Sequence, residues 1–337
     1  MPPTSDTVTS EMQPAVSVTS PLLVGAAAAQ KAAVITSTNN IFPMIQGLLA
    51  LSTVPILISL MVAASQKHSG SYPYLYRIMW AGAFLLNLIT VSLPGRFDGA
   101  ASVSTGRVEF PWNTVFAPAP WAFAIWGVIY LSETLLVGWI AALGLPIQAL
   151  KNAAPYWVAG NMFQAVWTFL FRPKFQSLLW LPMSALALGS ACLFGAHGEL
   201  TKAILPSMSV MEKVTLIALR SPISLHASWL TAASLLNLNA WVSLSGASLG
   251  FQVAVGFASA YFAAIAGATI SILRGDPLVA LVIAWALAAL SSQTRVKCQV
   301  ATLPESTVHA LALTEKVLSN ILIGTAIAAP SISKALF

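Results

Sequence analysis

Charged side chains are scarce in this 337-residue chain, since Asp, Glu, Lys and Arg together make up only 8% of it. A soluble domain carries about 25% charged residues, so a soluble surface would need far more charge than the chain holds. Hydrophobic residues make up 57% of the sequence, and the mean hydropathy is +0.80. Because hydrocarbon is a solvent that disfavours charge, this composition predicts an integral membrane protein.

Residues that carry familiar chemistry are also few. Cys192 and Cys298 do not make a disulfide framework, and no two of the four histidines have metal-ligand spacing on one helix. There is no phosphate-binding glycine loop, zinc-protease motif or CxxC pair. We therefore expect no enzyme and no metal site. The net charge of +6 comes from scattered Lys and Arg without a basic patch, so we expect no nucleic-acid partner.

Apolar runs of about the length that a bilayer requires follow one another along the chain and predict an all-α, polytopic helical bundle. They cover residues 41–63, 75–93, 121–143, 156–171, 178–196, 222–244, 251–273, 277–290 and 311–329. The absence of period-two alternation argues against strands and against a transmembrane barrel. Long connections are expected only at residues 94–120 and 197–221. The orientation in the membrane is not readable, because Lys and Arg divide almost evenly between the two sides. The sequence also does not identify the kind of membrane.

Residues 1–40 are rich in Ser, Thr, Pro and Ala, which is typical of a disordered tail. A short apolar stretch within them lacks the preceding basic residues of a secretory signal, so a cleaved signal peptide is disfavoured.

One face of the third run combines aromatic rings with a carboxylate. Trp126, Tyr130, Glu133 and Val137 recur at helical spacing and share that face. A carboxylate at this depth costs about 2.5–3.5 kcal/mol on insertion scales, so Glu133 should face the bundle interior. Two interpretations remain open, namely a hydrogen bond between helices and a ligand or proton site.

Two further runs have inward polar and aromatic faces. In the sixth run the face consists of Pro222, His226, Trp229, Ala233, Asn237 and Trp241. In the fourth run it consists of Asn161, Gln164, Trp167 and Thr168. Such faces serve either to join helices or to form a pocket, and an aromatic pocket with few polar groups suits a flat, apolar ligand.

Three sequence motifs resemble those of the TspO/MBR family and occur in the same order along the chain. This is the translocator protein and tryptophan-rich sensory protein family, once called peripheral benzodiazepine receptors. The third run begins Pro120-Trp121 and continues with Trp126 and Tyr130, as in the family's second helix. Trp167 followed by Phe171 is similar to the family's third helix. The fifth helix of the family has its counterpart in Trp229, Ala233, Asn237 and Trp241.

This resemblance implies a TspO-like five-helix core over residues 75–244. A further membrane helix and loop would occupy residues 41–74, and additional helices residues 245–337, which makes about three to four extra transmembrane helices. It also implies a pocket for a flat apolar ligand, a tetrapyrrole such as a porphyrin before a sterol. The pattern for sterols needs a Tyr and a basic residue after the fifth helix, but here Trp241 is followed by Val-Ser-Leu-Ser-Gly.

The pocket residues that the resemblance implies are Trp121, Trp126, Tyr130, Trp167, Trp229, Ala233 and Asn237. Gln164 stands where the family has Asn, and Glu133, His226 and Trp241 complete the predicted ligand site. On this interpretation a tetrapyrrole is a ligand for sensing or transport and not an established cofactor. The other expected partners are the lipid bilayer and, by analogy with the family, a second copy of the chain in a homodimer. The alternatives are a proton-coupled secondary transporter with a site at Glu133 and His226, and a structural subunit of a membrane complex.

Overall fold

The computed structural model describes residues 74–98, 114–143, 148–293 and 303–336, and these residues form helices and no strand. The α-helices are α1 Leu75–Ser92, α2 Ile125–Leu143, α3 Gln148–Leu170, α4 Trp180–Lys202, α5 Val210–Leu244, α6 Leu249–Arg274, α7 Pro277–Ser291 and α8 Glu305–Leu336. Two 3-10 helices, Pro120–Ala124 and Pro173–Leu178, precede α2 and α4. The predicted all-α bundle is confirmed. The predicted tail 1–40 and first membrane run 41–63 lie outside the described residues.

Several of these helices are long and apolar enough to cross a membrane. They are Leu75–Ser92, Pro120–Ala142, Trp180–Lys202, Leu249–Arg274 and Glu305–Ala335, and α7 is a shorter apolar helix. Large apolar side chains such as Phe262 and Ile265 on α6 are more than half exposed, which suits contact with acyl chains. The chain is therefore a multi-pass integral membrane protein.

Close approach of backbones holds α3 against α4. A Cβ atom added to Gly160 on α3 would lie 2.5 Å from the side chain of Leu193 on α4. Helix α3 also contacts α1, where the rings of Trp80 and Trp157 stack with centroids 4.6 Å apart. The indole nitrogen of Trp157 donates to the Trp80 carbonyl at 3.0 Å, so α1 and α3 are joined by packing and by a buried hydrogen bond.

Small residues on α6 allow it to pack closely against its neighbours. The small residues at helical spacing along α6 are all buried, namely Gly256, Ala260, Ala263, Ala264 and Gly267. A Cβ atom on Gly267 would lie 3.1 Å from Ile283 of α7. Dispersion contacts at such short range are a main source of helix association in lipid.

The long connection predicted at residues 197–221 is wrong, because most of that segment is helical. Helix α4 continues to Lys202 and α5 begins at Val210, which leaves only residues 203–209 between them. Ser209 and Glu212 form a reciprocal capping box at the start of α5. The charges of Glu212 and Lys213 in the first turn of α5 interrupt its apolar residues, so the helix extends beyond the apolar run that hydropathy detects.

Candidate functional site

A cavity of about 70 Å³ lies among α2, α3, α5 and the segment before α2. Its wall is mostly aromatic and aliphatic. The lining residues are Asp98, Thr114, Phe116, Ala117, Pro118, Phe123, Trp126, Trp167, Phe171, Trp229, Ala233, Leu236, Asn237 and Ala240. A mostly apolar wall with a small number of polar groups is typical of small-molecule sites.

A second cavity of about 240 Å³ adjoins the first. It is lined by Val91, Arg96, Asp98, Phe123, Trp126, Tyr130 and Trp167, four of which also line the first cavity. We refer to the two together as the aromatic cavity.

Indole rings from three helices meet in the wall of the aromatic cavity. The ring centroids of Trp126 on α2 and Trp229 on α5 lie 6.2 Å apart, nearly at right angles. Tyr130 stacks on Trp126 at 5.6 Å, and Trp167 on α3 stacks on Phe171 at 5.2 Å. The structure therefore brings together the aromatic residues predicted from three separate sequence runs.

Three polar atoms on the cavity residues are buried without a hydrogen-bond partner among the described residues. They are the indole nitrogens of Trp167 and Trp229 and the side-chain oxygen of Asn237. The amide nitrogen of Asn237 donates to the Ala233 carbonyl at 2.9 Å. An unpaired buried polar atom costs about 1–3 kcal/mol, and a bound polar group would offset that cost.

One end of the aromatic cavity is charged. Arg96 forms a 2.7 Å ion pair with Asp98 and also donates to the Val91 carbonyl. The Arg96 guanidinium lies 5.5 Å from the centroid of the Trp167 ring, within cation–π range. The sequence shows these two charges only as residues of a connection after α1, and only the fold places them beside the three tryptophans.

Amide side chains form hydrogen bonds with the Tyr130 hydroxyl and with one another. The Gln164 amide nitrogen donates to the Tyr130 hydroxyl at 3.0 Å, and Asn87 of α1 donates to the Gln164 oxygen at 2.6 Å. Gln164 is fully buried and lies outside the cavity wall. Asn87 was not among the predicted site residues, although an Asn within an apolar run is a sequence signal that could have identified it.

Glu133 and His226 form a pair between α2 and α5, both with 0% of the side chain exposed. The oxygen Oε1 of Glu133 and the nitrogen Nδ1 of His226 are 2.6 Å apart. The other oxygen of Glu133 and Nε2 of His226 have no hydrogen-bond partner among the described residues. The pair lies outside the cavity wall but touches it, because the His226 ring packs edge-on to Trp126 at 6.0 Å.

Besides Gln164, Glu133 and His226, two more of the predicted residues do not line the aromatic cavity. Trp121 is 44% exposed, and its ring meets Trp285 of α7 edge-on at 4.6 Å. Trp241 is partly buried and packs against the core made by α1 to α5. Trp121 precedes α2 in the 3-10 helix Pro120–Ala124, so helical spacing from Trp126 did not predict its direction.

A second polar cluster joins α4, α5 and the turn between α6 and α7. The carboxylate of Asp276 accepts from Nε2 of His197 at 2.8 Å and from the Ser224 hydroxyl at 2.5 Å. The guanidinium nitrogen Nε of Arg220 lies 3.2 Å from the same oxygen. Arg274 donates to Nδ1 of His197 at 2.9 Å, so His197 is the tautomer that carries its proton on Nε2.

The environment of Asp276 also sets its ionisation. Burial alone would raise the pKa of this carboxyl, but hydrogen bonds from His197 and Ser224 and the charge of Arg220 outweigh burial and lower the pKa to about 2. Asp276 is also the N-cap of α7, where it accepts from the backbone of Leu278 at 3.0 Å.

The helices and the site together define a polytopic helical membrane protein with an aromatic cavity between its second, third and fifth described helices. The family model for the TSPO-like protein matches residues 74–326. Because this match covers about three quarters of the chain, the chain belongs to the TSPO-like family, as the sequence motifs predicted. The match continues past residue 244 through α6, α7 and much of α8. No curated protein and no solved structure matches the chain.

Proposed function

We propose that the aromatic cavity binds a flat, apolar ligand, most consistent with a tetrapyrrole such as a porphyrin, and that the chain acts in sensing or transport and not as an enzyme. The observation that carries the proposal is the meeting of Trp126, Trp167 and Trp229, from three helices, around one cavity. Indole faces stack on planar rings and give about 0.5–1.5 kcal/mol per aromatic pair beyond area burial.

The charged end of the cavity supports a tetrapyrrole over a sterol. Arg96 lies in the same cavity as Trp126 and Trp167, and a guanidinium is a strong partner for a carboxylate. A porphyrin with acidic side chains combines a planar aromatic body with such groups, whereas a sterol has neither.

Tryptophan fluorescence of the purified protein in mild detergent tests this proposal. Titration with protoporphyrin IX should quench the emission saturably at micromolar concentration. The double variant Trp126→Ala with Trp229→Ala should lose saturable quenching, while Trp121→Ala, which removes an indole outside the cavity, should keep it. If the porphyrin quenches free tryptophan amide in solution as strongly as it quenches the protein, the proposal is contradicted. An unchanged porphyrin affinity in the double variant would also contradict it.

The pair of Glu133 and His226 supports a second candidate, a proton-coupled transporter. Both side chains are fully buried and share one short hydrogen bond beside Trp126, and an ionisable pair inside a membrane is a natural place to hold a proton. In this case uptake into vesicles should follow an imposed pH gradient and be abolished in Glu133→Gln. Uptake that is independent of the gradient would argue for the first candidate.

A further inference from the structure

A chain of buried amide side chains runs from α3 through α1 to the aromatic cavity. Asn161 donates to the Trp157 carbonyl at 3.0 Å and accepts from Asn87 at 2.9 Å. Asn87 also donates to Gln164 at 2.6 Å, and Gln164 donates to the Tyr130 hydroxyl at 3.0 Å. We refer to Asn161, Asn87 and Gln164 as the amide relay.

The direction of every bond in the amide relay follows from its first member. A backbone carbonyl can only accept, so Asn161 must turn its NH₂ group toward Trp157 and its oxygen toward Asn87. Asn87 must then present NH₂ to that oxygen. Its second N–H is directed at Gln164, which therefore presents its oxygen to Asn87 and its NH₂ group to Tyr130.

Burial prevents the amide relay from reversing. Asn87 and Gln164 have 0% of their surface exposed and Asn161 has 1%, so water does not compete for these groups. Rotating Asn161 by half a turn would set its oxygen against the Trp157 carbonyl oxygen and leave a buried N–H pair facing another N–H pair. An unsatisfied buried group of this kind is costly.

The relay ends at the Tyr130 hydroxyl, whose oxygen accepts a hydrogen bond from the Gln164 amide nitrogen. Tyr130 therefore retains one proton to donate, and its hydroxyl has no acceptor among the described side chains. Tyr130 lines the same part of the cavity as Arg96 and its ion-pair partner Asp98. Arg96 uses one N–H group on Asp98 and one on the Val91 carbonyl, and a guanidinium has five, so three N–H groups of Arg96 are left for a ligand beside the Tyr130 donor.

We propose that the amide relay fixes Tyr130 as a hydrogen-bond donor to the bound ligand, and that the site therefore selects a flat ligand with a carboxylate at its edge. Asn87, Asn161 and Gln164 are then positioning residues that act through Tyr130. This inference rests on the proposed function, because it specifies which planar ligands the aromatic cavity accepts.

Two porphyrins that differ at the edge test the selection. Protoporphyrin IX carries carboxylates, and octaethylporphyrin carries only alkyl groups. Tyr130→Phe should weaken protoporphyrin IX binding about tenfold, as expected for one hydrogen bond to a charged group, and leave octaethylporphyrin binding unchanged. Equal weakening of both, or of neither, would overturn the inference.

A rescue experiment separates the relay from simple packing. In Asn87→Leu the Gln164 amide is free to turn and accept the Tyr130 proton, so protoporphyrin IX binding should weaken severalfold. Adding Gln164→Met removes that competing acceptor, and binding should return close to the wild-type level. If the double variant binds no better than Asn87→Leu, the residues act only through packing and the inference is wrong.

The direction of the Tyr130 hydrogen bond is also measurable without ligand. The tyrosine doublet in the ultraviolet Raman spectrum, taken as wild type minus Tyr130→Phe, should report an accepting hydroxyl, and in Asn87→Leu it should change to a donating one. A donating hydroxyl in the wild type would overturn the inference. Failure of both porphyrins to bind the wild type would instead refute the proposed function, and the Raman result would still decide the relay.

Discussion

Asp276→Asn should destabilise the protein strongly, because it leaves the buried guanidinium of Arg220 without its carboxylate. Both groups are almost fully buried, with 4% and 3% of their side chains exposed. Removing one partner of a buried ion pair costs about 3–5 kcal/mol. Asn is as good an N-cap as Asp, so the loss would come from the charge and not from the cap of α7.

Unfolding by denaturant in detergent, followed by circular dichroism at 222 nm, measures this loss. Arg220→Met on its own should also destabilise, because it removes the cation that offsets the buried charge of Asp276. The combination of Arg220→Met with Asp276→Asn should recover much of the loss, since the double variant leaves neither charge buried without its partner. As a control, Glu199→Gln breaks an exposed pair with Lys202 and should change stability little.

The pH dependence of stability gives an independent measure of the same interaction. The pKa of Asp276 falls from 3.8 to about 2 on folding, so the folded state prefers the ionised carboxylate. Its contribution of about 2–3 kcal/mol is complete above pH 4 and is lost as the pH falls toward 2. A denaturation midpoint that is unchanged in Asp276→Asn, with the same acid dependence as the wild type, would refute this account of the cluster.

Two further predictions concern packing. Gly160→Ala should lower the melting temperature, because its Cβ would lie 2.5 Å from Leu193. Gly82→Ala should not lower it, because no atom lies within 4 Å of that Cβ. Equal melting temperatures of the two variants would contradict the close approach of α3 and α4. Trp80→Phe removes the 3.1 Å hydrogen bond to the Leu150 carbonyl and part of a buried ring, and should cost about 2–4 kcal/mol of unfolding free energy. A loss no greater than that of Trp121→Phe, at a site that is 44% exposed, would show that the Trp80 indole contributes little.

Hydropathy and helical spacing were enough to predict the helices and the three tryptophan faces. Hydropathy and helical spacing are properties of residues close together in the sequence. They were therefore sufficient to assign Trp126, Tyr130 and Trp229 to inward faces. The length of α5 was underestimated because the charges of Glu212, Lys213 and Arg220 interrupt the apolar residues of its first turns. The direction of Trp121 was missed because it lies in a 3-10 turn.

The parts of the site that were missed depend on contacts between distant residues. Asp276 and His197 are 79 positions apart, and Asn87 and Gln164 are 77 apart. No pattern within one helix indicates such a partner. Arg96 and Asp98 follow α1 in a connection, where charge is the normal expectation, so only the fold shows that they border an aromatic cavity.

Native mass spectrometry of the detergent-purified protein with protoporphyrin IX tests the central claim most directly. The account predicts one porphyrin bound per chain, and loss of that adduct in Ala233→Trp, which fills the cavity between Trp229 and Asn237, while Ala288→Trp on α7 outside its wall keeps the adduct. An adduct of equal abundance in Ala233→Trp would place the porphyrin elsewhere and contradict the claim that the three tryptophans form its binding site.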